Sequence, residues 1–140
     1  MARVSPGGIE QAADLRNRDG GNLAMSAVQN EATDHVRVEM EELVANMCMA
    51  LNDPKRLMVI WALSNGPMSV GEISAALGLP QANVSQHLAI LRTRGLVDNE
   101  RRGNSIFYTL RYPRLVDAVD LLRGVLREEI ARRTGLLGED

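Results

Sequence analysis

The sequence predicts a mainly α-helical domain with a single β-hairpin, in the order α-α-α-α-β-β-α. Three observations point there. Apolar residues recur at spacings of three and four in several separate stretches, the period of amphipathic helices. One short segment alternates instead: Ile106, Tyr108 and Leu110 are interleaved with Phe107 and Thr109. Apolar side chains make up 45% of the 140 residues, yet the aromatics are only one Trp, two Tyr and one Phe. The core must therefore be aliphatic, which favours helices over a β-sandwich.

Residues 1–29 are poor in large apolar groups and contain Pro6-Gly7-Gly8 and Gly20-Gly21-Asn22, so a disordered N-terminal arm is expected. A long amphipathic helix should follow from about Glu31 to Leu51. Val36, Met40, Leu43, Met47 and Leu51 form its stripe, widened by Val44, Cys48 and Ala50. Asn52-Asp53-Pro54 stops it, because proline steers its predecessor away from helix. Asp53 is a plausible N-cap for a second helix, Pro54–Asn65, with Pro54 in its first turn. That helix carries Leu57, Val59, Ile60, Trp61 and Leu63, apolar around much of its circumference, and is expected to be central to the core.

Ser69-Val70-Gly71-Glu72 has the form of a capping box. It should open a short helix, Val70–Leu77, closed by Gly78. A fourth helix follows from about Gln81 to Arg94, ended by Gly95. Two strands around Arg101-Arg102-Gly103-Asn104 then make the hairpin, with arginines at its tip. After Tyr112-Pro113 a last helix runs to about Arg133, with Leu115, Val119, Leu122 and Leu126 on one face. The expected organisation is thus an arm (1–29), a domain (30–133) and a flexible tail (134–140). A hairpin placed directly after a helix-turn-helix makes a winged helix-turn-helix.

The fourth helix has two kinds of face. Val84, Leu88 and Leu91 suit burial, whereas Gln81, Asn83, Ser85, Gln86 and His87 supply hydrogen-bonding groups without fixed charge. Neutral amides at a helix start suit the reading of base edges in a DNA major groove. Asn83 and Ser85 suit phosphate equally, and Asn83 a capping role. Formal net charge is −2 overall, but it is unevenly spread. Four Arg against eight acids give residues 1–50 a net −4; five Arg against Asp98 and Glu100 give residues 80–111 a net +3. A local basic patch can act as a footprint on DNA despite an acidic total. Arg92, Arg94, Arg101, Arg102 and Asn104 are the phosphate or minor-groove candidates.

The order and spacing of Leu51-Asn52-Asp53-Pro54-Lys55-Arg56-Leu57, Val84-Ser85-Gln86-His87-Leu88-Ala89-Ile90-Leu91-Arg92, Gly95-Leu96-Val97 and Arg102-Gly103-Asn104-Ser105-Ile106-Phe107-Tyr108 resemble the ArsR family of bacterial transcriptional repressors. The resemblance covers about residues 36–130. It implies a homodimer joined through the first and last helices, bound to double-stranded operator DNA and released by an inducer. Val36, Met40, Leu43, Met47, Leu115, Val119, Leu122 and Leu126 are then the interface candidates. The residue pattern agrees: two long helices, each apolar over a wide face, find little cover within one short chain, and pairing across a two-fold axis would cover them. The other reading is that both stripes belong to the monomer core. Pro80 stands where many relatives carry Ser or Thr, so a side-chain cap is absent there.

The inducer is unassigned. Metal-sensing relatives carry Cys-x-Cys in the helix before the recognition helix, where this chain has Ser69–Ser74 with neither Cys nor His. Relatives with sites on the last helix use His beside carboxylates; here Asp117, Asp120, Glu128 and Glu129 have no His among them. Thiol-switch relatives pair cysteines in the second and last helices, whereas this chain has Trp61 near the first position and no Cys at the second. No metal site and no cofactor are expected. The one cysteine, Cys48, excludes an intrachain disulfide and is expected as a small buried hydrophobe, with a single-thiol sensor as the alternative.

No nucleophile–base pair or phosphate-binding glycine loop is present, which argues against an enzyme. No long apolar run or signal-peptide core occurs, so a cytoplasmic protein without membrane association is expected. A protein-interaction module on the same scaffold is the competing class, since a fold does not fix a function.

Overall fold

The first helix starts earlier than its apolar stripe. The computed structural model describes residues 22–138 (side chains 24–135), and α1 spans Asn22–Glu42. Of the expected disordered arm, residues 1–21 lie outside the described residues, while 22–29 are helical. Leu23, Ala24, Met25, Ala27 and Gln29 are good helix formers with no Gly or Pro among them, and helix propensity does not require large apolar groups. The helix then widens into a π-helical stretch, Leu43–Cys48, before a turn at Leu51. The chain divides into two units between Ala45 and Asn46.

In the second unit, α2 (Pro54–Ala62) begins as its sequence dictates. Asp53 is an extended N-cap whose Oδ1 accepts from the Lys55 amide at 2.7 Å, and Pro54 occupies the first turn. The half-buried Arg56 guanidinium closes the preceding elbow, its Nε donating to the Ala50 carbonyl at 2.5 Å. A 3-10 turn, Leu63–Asn65, leads to β1, Met68–Ser69. This two-residue strand is absent from the predicted order and is too short to show a period. It pairs antiparallel with β3 (Ser105–Leu110), which pairs in turn with β2 (Val97–Arg102), giving a sheet ordered β1-β3-β2.

Ser69 does cap α3 (Val70–Leu77). Its Oγ accepts from the Glu72 amide at 3.2 Å and donates to Glu72 Oε1 at 3.1 Å. Gly78 ends the helix in the left-handed region, φ 67°, where a side chain would be strained. The Ser74 hydroxyl, donating to the Leu79 carbonyl at 2.5 Å, fixes the turn into α4 (Gln81–Thr93). The final helix, α5, spans Arg114–Gly138. It therefore includes residues 134–138 of the expected tail; residues 139–140 lie outside the described ones.

The core is aliphatic, as composition requires. Ala50, Val59, Ile60, Leu63, Ile73, Val84, Leu88, Leu91, Leu96 and Val97 are each at most 2% exposed. Leu115 and Val116 of α5 pack against this cluster. Cys48 departs from expectation: it is exposed, not buried, because it lies in the π-helical stretch among the exposed Leu43, Val44 and Met47. The outer face of α2 departs similarly, with Met58 and Trp61 exposed.

Candidate nucleic-acid interface

Helix α4 is held by one face and free on the other. Val84, Leu88 and Leu91 are fully buried. Its N-cap, Pro80, offers no side-chain bond; its carbonyl accepts from the Asn83 and Val84 amides, both at 3.1 Å. Away from the core, Gln81, Ser85, Gln86 and Arg92 are exposed, and Asn83 is half-buried. A hundred-degree step per residue puts Ala82 and Ala89 beside Gln86 on the outward side, and both are exposed. These alanines carry no polar group and so leave no signal in the sequence. Their small size permits close approach of a partner, and a methyl can meet the thymine methyl in a major groove.

His87 sits apart. It is half-buried on the flank of α4, and its Nδ1 is shielded from solvent with no hydrogen-bond partner. The Asp53 carboxyl is held below its usual range mainly by the Lys55 amide, against a smaller opposing effect of burial.

The wing follows from one turn. Arg102 pairs with Ser105 in register, leaving Gly103-Asn104 as a two-residue connection. Gly103 has φ 62° and Asn104 does not have positive φ, the pattern of a type II′ turn with glycine first. Arg101, Arg102 and Asn104 are exposed at this tip. Arg101 Nε reaches the Gly103 carbonyl at 3.4 Å. Arg102 pairs with Glu100 at 3.3 Å and lies 5.3 Å from the Phe107 ring centroid, so its charge is steadied along the strand.

The remaining arginines differ in their engagement. Arg94 Nη1 donates to Asn46 Oδ1 at 3.4 Å. Arg111, also part of the basic patch, donates twice to Asp98 Oδ1, from Nε at 3.0 Å and Nη2 at 2.6 Å. That bond lowers the Asp98 pKa and raises that of Arg111. The Arg111 side chain also lies over Gly95, where an added Cβ would come within 3.1 Å of Nη1. Glycine at 95 thus serves both its φ of 76° and the approach of this arginine, which ties the end of α4 to the base of the wing. The net +3 of residues 80–111 already counts Asp98 and Glu100, so the Arg111–Asp98 and Arg102–Glu100 pairs localise the charge without reducing it.

The expected interface residues are spread across the chain. Val36, Met40, Leu43 and Met47 are exposed, as are Leu122 and Leu126, whereas Leu115 and Val119 are half-buried. Among the described residues no group of three or more His, Cys, Asp or Glu is placed to hold a metal ion. None of their helices is long and apolar enough to cross a membrane.

Residues 53–99, from the α2 cap to the start of the wing, match the model of the bacterial regulatory protein, arsR family. The chain is 36% identical over 104 residues to the biofilm growth-associated repressor of Agrobacterium fabrum, covering 72% of this chain and 81% of that one. It is 37% identical over 87 residues to the transcriptional activator HlyU of Vibrio cholerae, covering 60% of this chain and 81% of that one. In fold it is similar to the homodimeric winged helix-turn-helix DNA-binding domain Mb0332 of Mycobacterium bovis, with TM-score 0.60, 25% identity, and coverage of 69% of this chain and 89% of that one. With the wing, the capped helix pair and these likenesses in agreement, the chain belongs to the arsR family of bacterial regulatory proteins.

Proposed function

We propose that this chain is a homodimeric, sequence-specific transcriptional repressor that reads an inverted-repeat operator. The observation that carries the reading is the free face of α4. It offers Gln81, Ser85 and Gln86 without fixed charge, on a helix whose opposite face is fully buried. Amides pair bidentately with adenine N6 and N7, and a rigidly anchored helix keeps them in register. Asn83 adds a base or phosphate contact at the flank. Arg92, Arg94, Arg101, Arg102 and Asn104 supply phosphate and minor-groove contacts, and the half-buried His87 adds a backbone contact from the flank of α4.

Dimerisation is supported by the exposed apolar stripes of α1, the π-helical stretch and α5, and by the homodimeric state of the structural relative. Two recognition helices related by a two-fold axis demand half-sites roughly one helical turn apart. Repression, rather than the activation attributed to HlyU, follows the biofilm growth-associated repressor, which aligns over more of this chain.

The test is fluorescence anisotropy with the promoter next to the chain's own gene. Saturable binding that survives competitor DNA and is weakened by Gln86→Ala and by Arg102→Ala is expected. No binding at low salt would favour a protein-interaction module, and a reporter that falls when the gene is deleted would reassign the chain as an activator.

A further inference from the structure

Helix α2 is apolar on two opposite faces. Val59 and Ile60 point into the core that also holds Val84, Leu88 and Leu91 of the recognition helix. The outer face is not buried: Met58 is 45% and Trp61 53% exposed. A helix apolar all round is ordinarily covered all round. Here the outer face forms one wall of a groove whose other wall is α5. Pro54, Leu57, Met58 and Trp61 line it from α2, and Val119 and Arg123 from α5.

We infer that this groove is a binding site for a small aromatic anion. Its volume, about 430 Å³, lies within the range of small-molecule sites. Five of its six lining residues are apolar, and Trp61 and Met58 offer a ring face and a thioether to an aromatic ligand. Arg123 is the single charged lining residue. One of its nitrogens bonds Asp120 at 3.0 Å, and a guanidinium has five N–H donors, enough to bind a second anion. Val119, expected at the contact between copies, lines this groove from its own chain. Resting on the function proposed above, a ligand here is also an effector, because it presses on the helix that backs α4.

Trp61 is the only tryptophan in the chain, so the site reports itself. The full-length protein would be titrated with 1-anilinonaphthalene-8-sulfonate, following energy transfer from Trp61. Saturable transfer is expected. Arg123→Gln should weaken it about tenfold, the worth of one charge-assisted hydrogen bond. Met58→Glu should abolish it, and Arg133→Gln, an exposed arginine further along α5 and outside the lining, should leave it unchanged. If Met58→Glu unfolds, Arg123→Gln at its exposed position still decides. Transfer unaffected by Arg123→Gln would overturn the site. So would an affinity that falls as protein concentration rises, which would mean that a second copy covers the groove. For the effector role, the probe should shift promoter affinity in the wild type and not in Met58→Glu; an unchanged affinity would overturn that role. The titration contains no DNA, so it decides the site even if DNA binding fails.

Discussion

Under the proposed function Gln86 and Arg102 do different physical work, and their substitutions should separate it. Gln86→Ala removes a group suited to a base edge, so discrimination at one base pair should fall by about 1–3 kcal/mol with the salt dependence unchanged. Arg102→Ala removes the proposed phosphate contact, so specific and non-specific affinity should fall together, and the log–log salt slope should shrink by about 0.9. Anisotropy titrations at several salt concentrations measure both. Asp98 provides a pH test. Its folded pKa is depressed by Arg111, so its contribution to stability is present above the usual carboxylate range and is lost as pH falls through the lowered value. Asp98→Asn should lower Tm at pH 7 and flatten that acid limb in thermal melts. The Gln and Ser pattern of α4 was legible in the sequence because it departs from the Lys and Glu of an ordinary surface helix. The Asp98–Arg111 pair was not, since it spans 13 residues and depends on where β3 ends.

At the scale of elements, local chemistry wrote most of the boundaries. Asp53-Pro54, Ser69 with Glu72, Gly78 and Gly103-Asn104 each satisfy orphan backbone groups or supply an otherwise strained φ, and each falls where its spacing predicts. Such signals act over three or four residues, which makes them readable. Strand β1 is held by its partner β3 rather than by its own two residues, and the π-helical stretch has no comparable local signal. The early start of α1 follows helix propensity alone, since residues 22–29 carry no apolar stripe to mark it. Two predictions belong here. Leu88→Ala should cost about 2–5 kcal/mol, because Leu88 is fully buried in the seam between α2 and α4. Ser69→Ala should cost about 1 kcal/mol through the lost cap. Urea denaturation followed by circular dichroism measures both.

For the whole molecule, the apolar groups left uncovered are the informative ones. Leu121, Leu122, Val125 and Leu126 of α5 are 54–67% exposed, and Val36, Met40 and Val44 are 49–55% exposed. Scattered apolar surface is ordinary, but successive turns of two helices are not. The sequence showed these stripes clearly. It could not show that Cys48 would lie among exposed residues, because spacing alone does not tell a stripe that the same chain covers from one it leaves open. Under the proposed dimer, Leu122→Glu should yield monomers by sedimentation velocity and lose most operator affinity, since each half-site would then bind alone.

The most direct test is anisotropy of the purified protein on its own promoter, against a scrambled duplex of equal length at physiological salt. Binding at least about a thousandfold tighter to the promoter, with two chains per site, is the predicted result. Equal affinity for both duplexes, or none for either, would contradict the claim that α4 reads sequence.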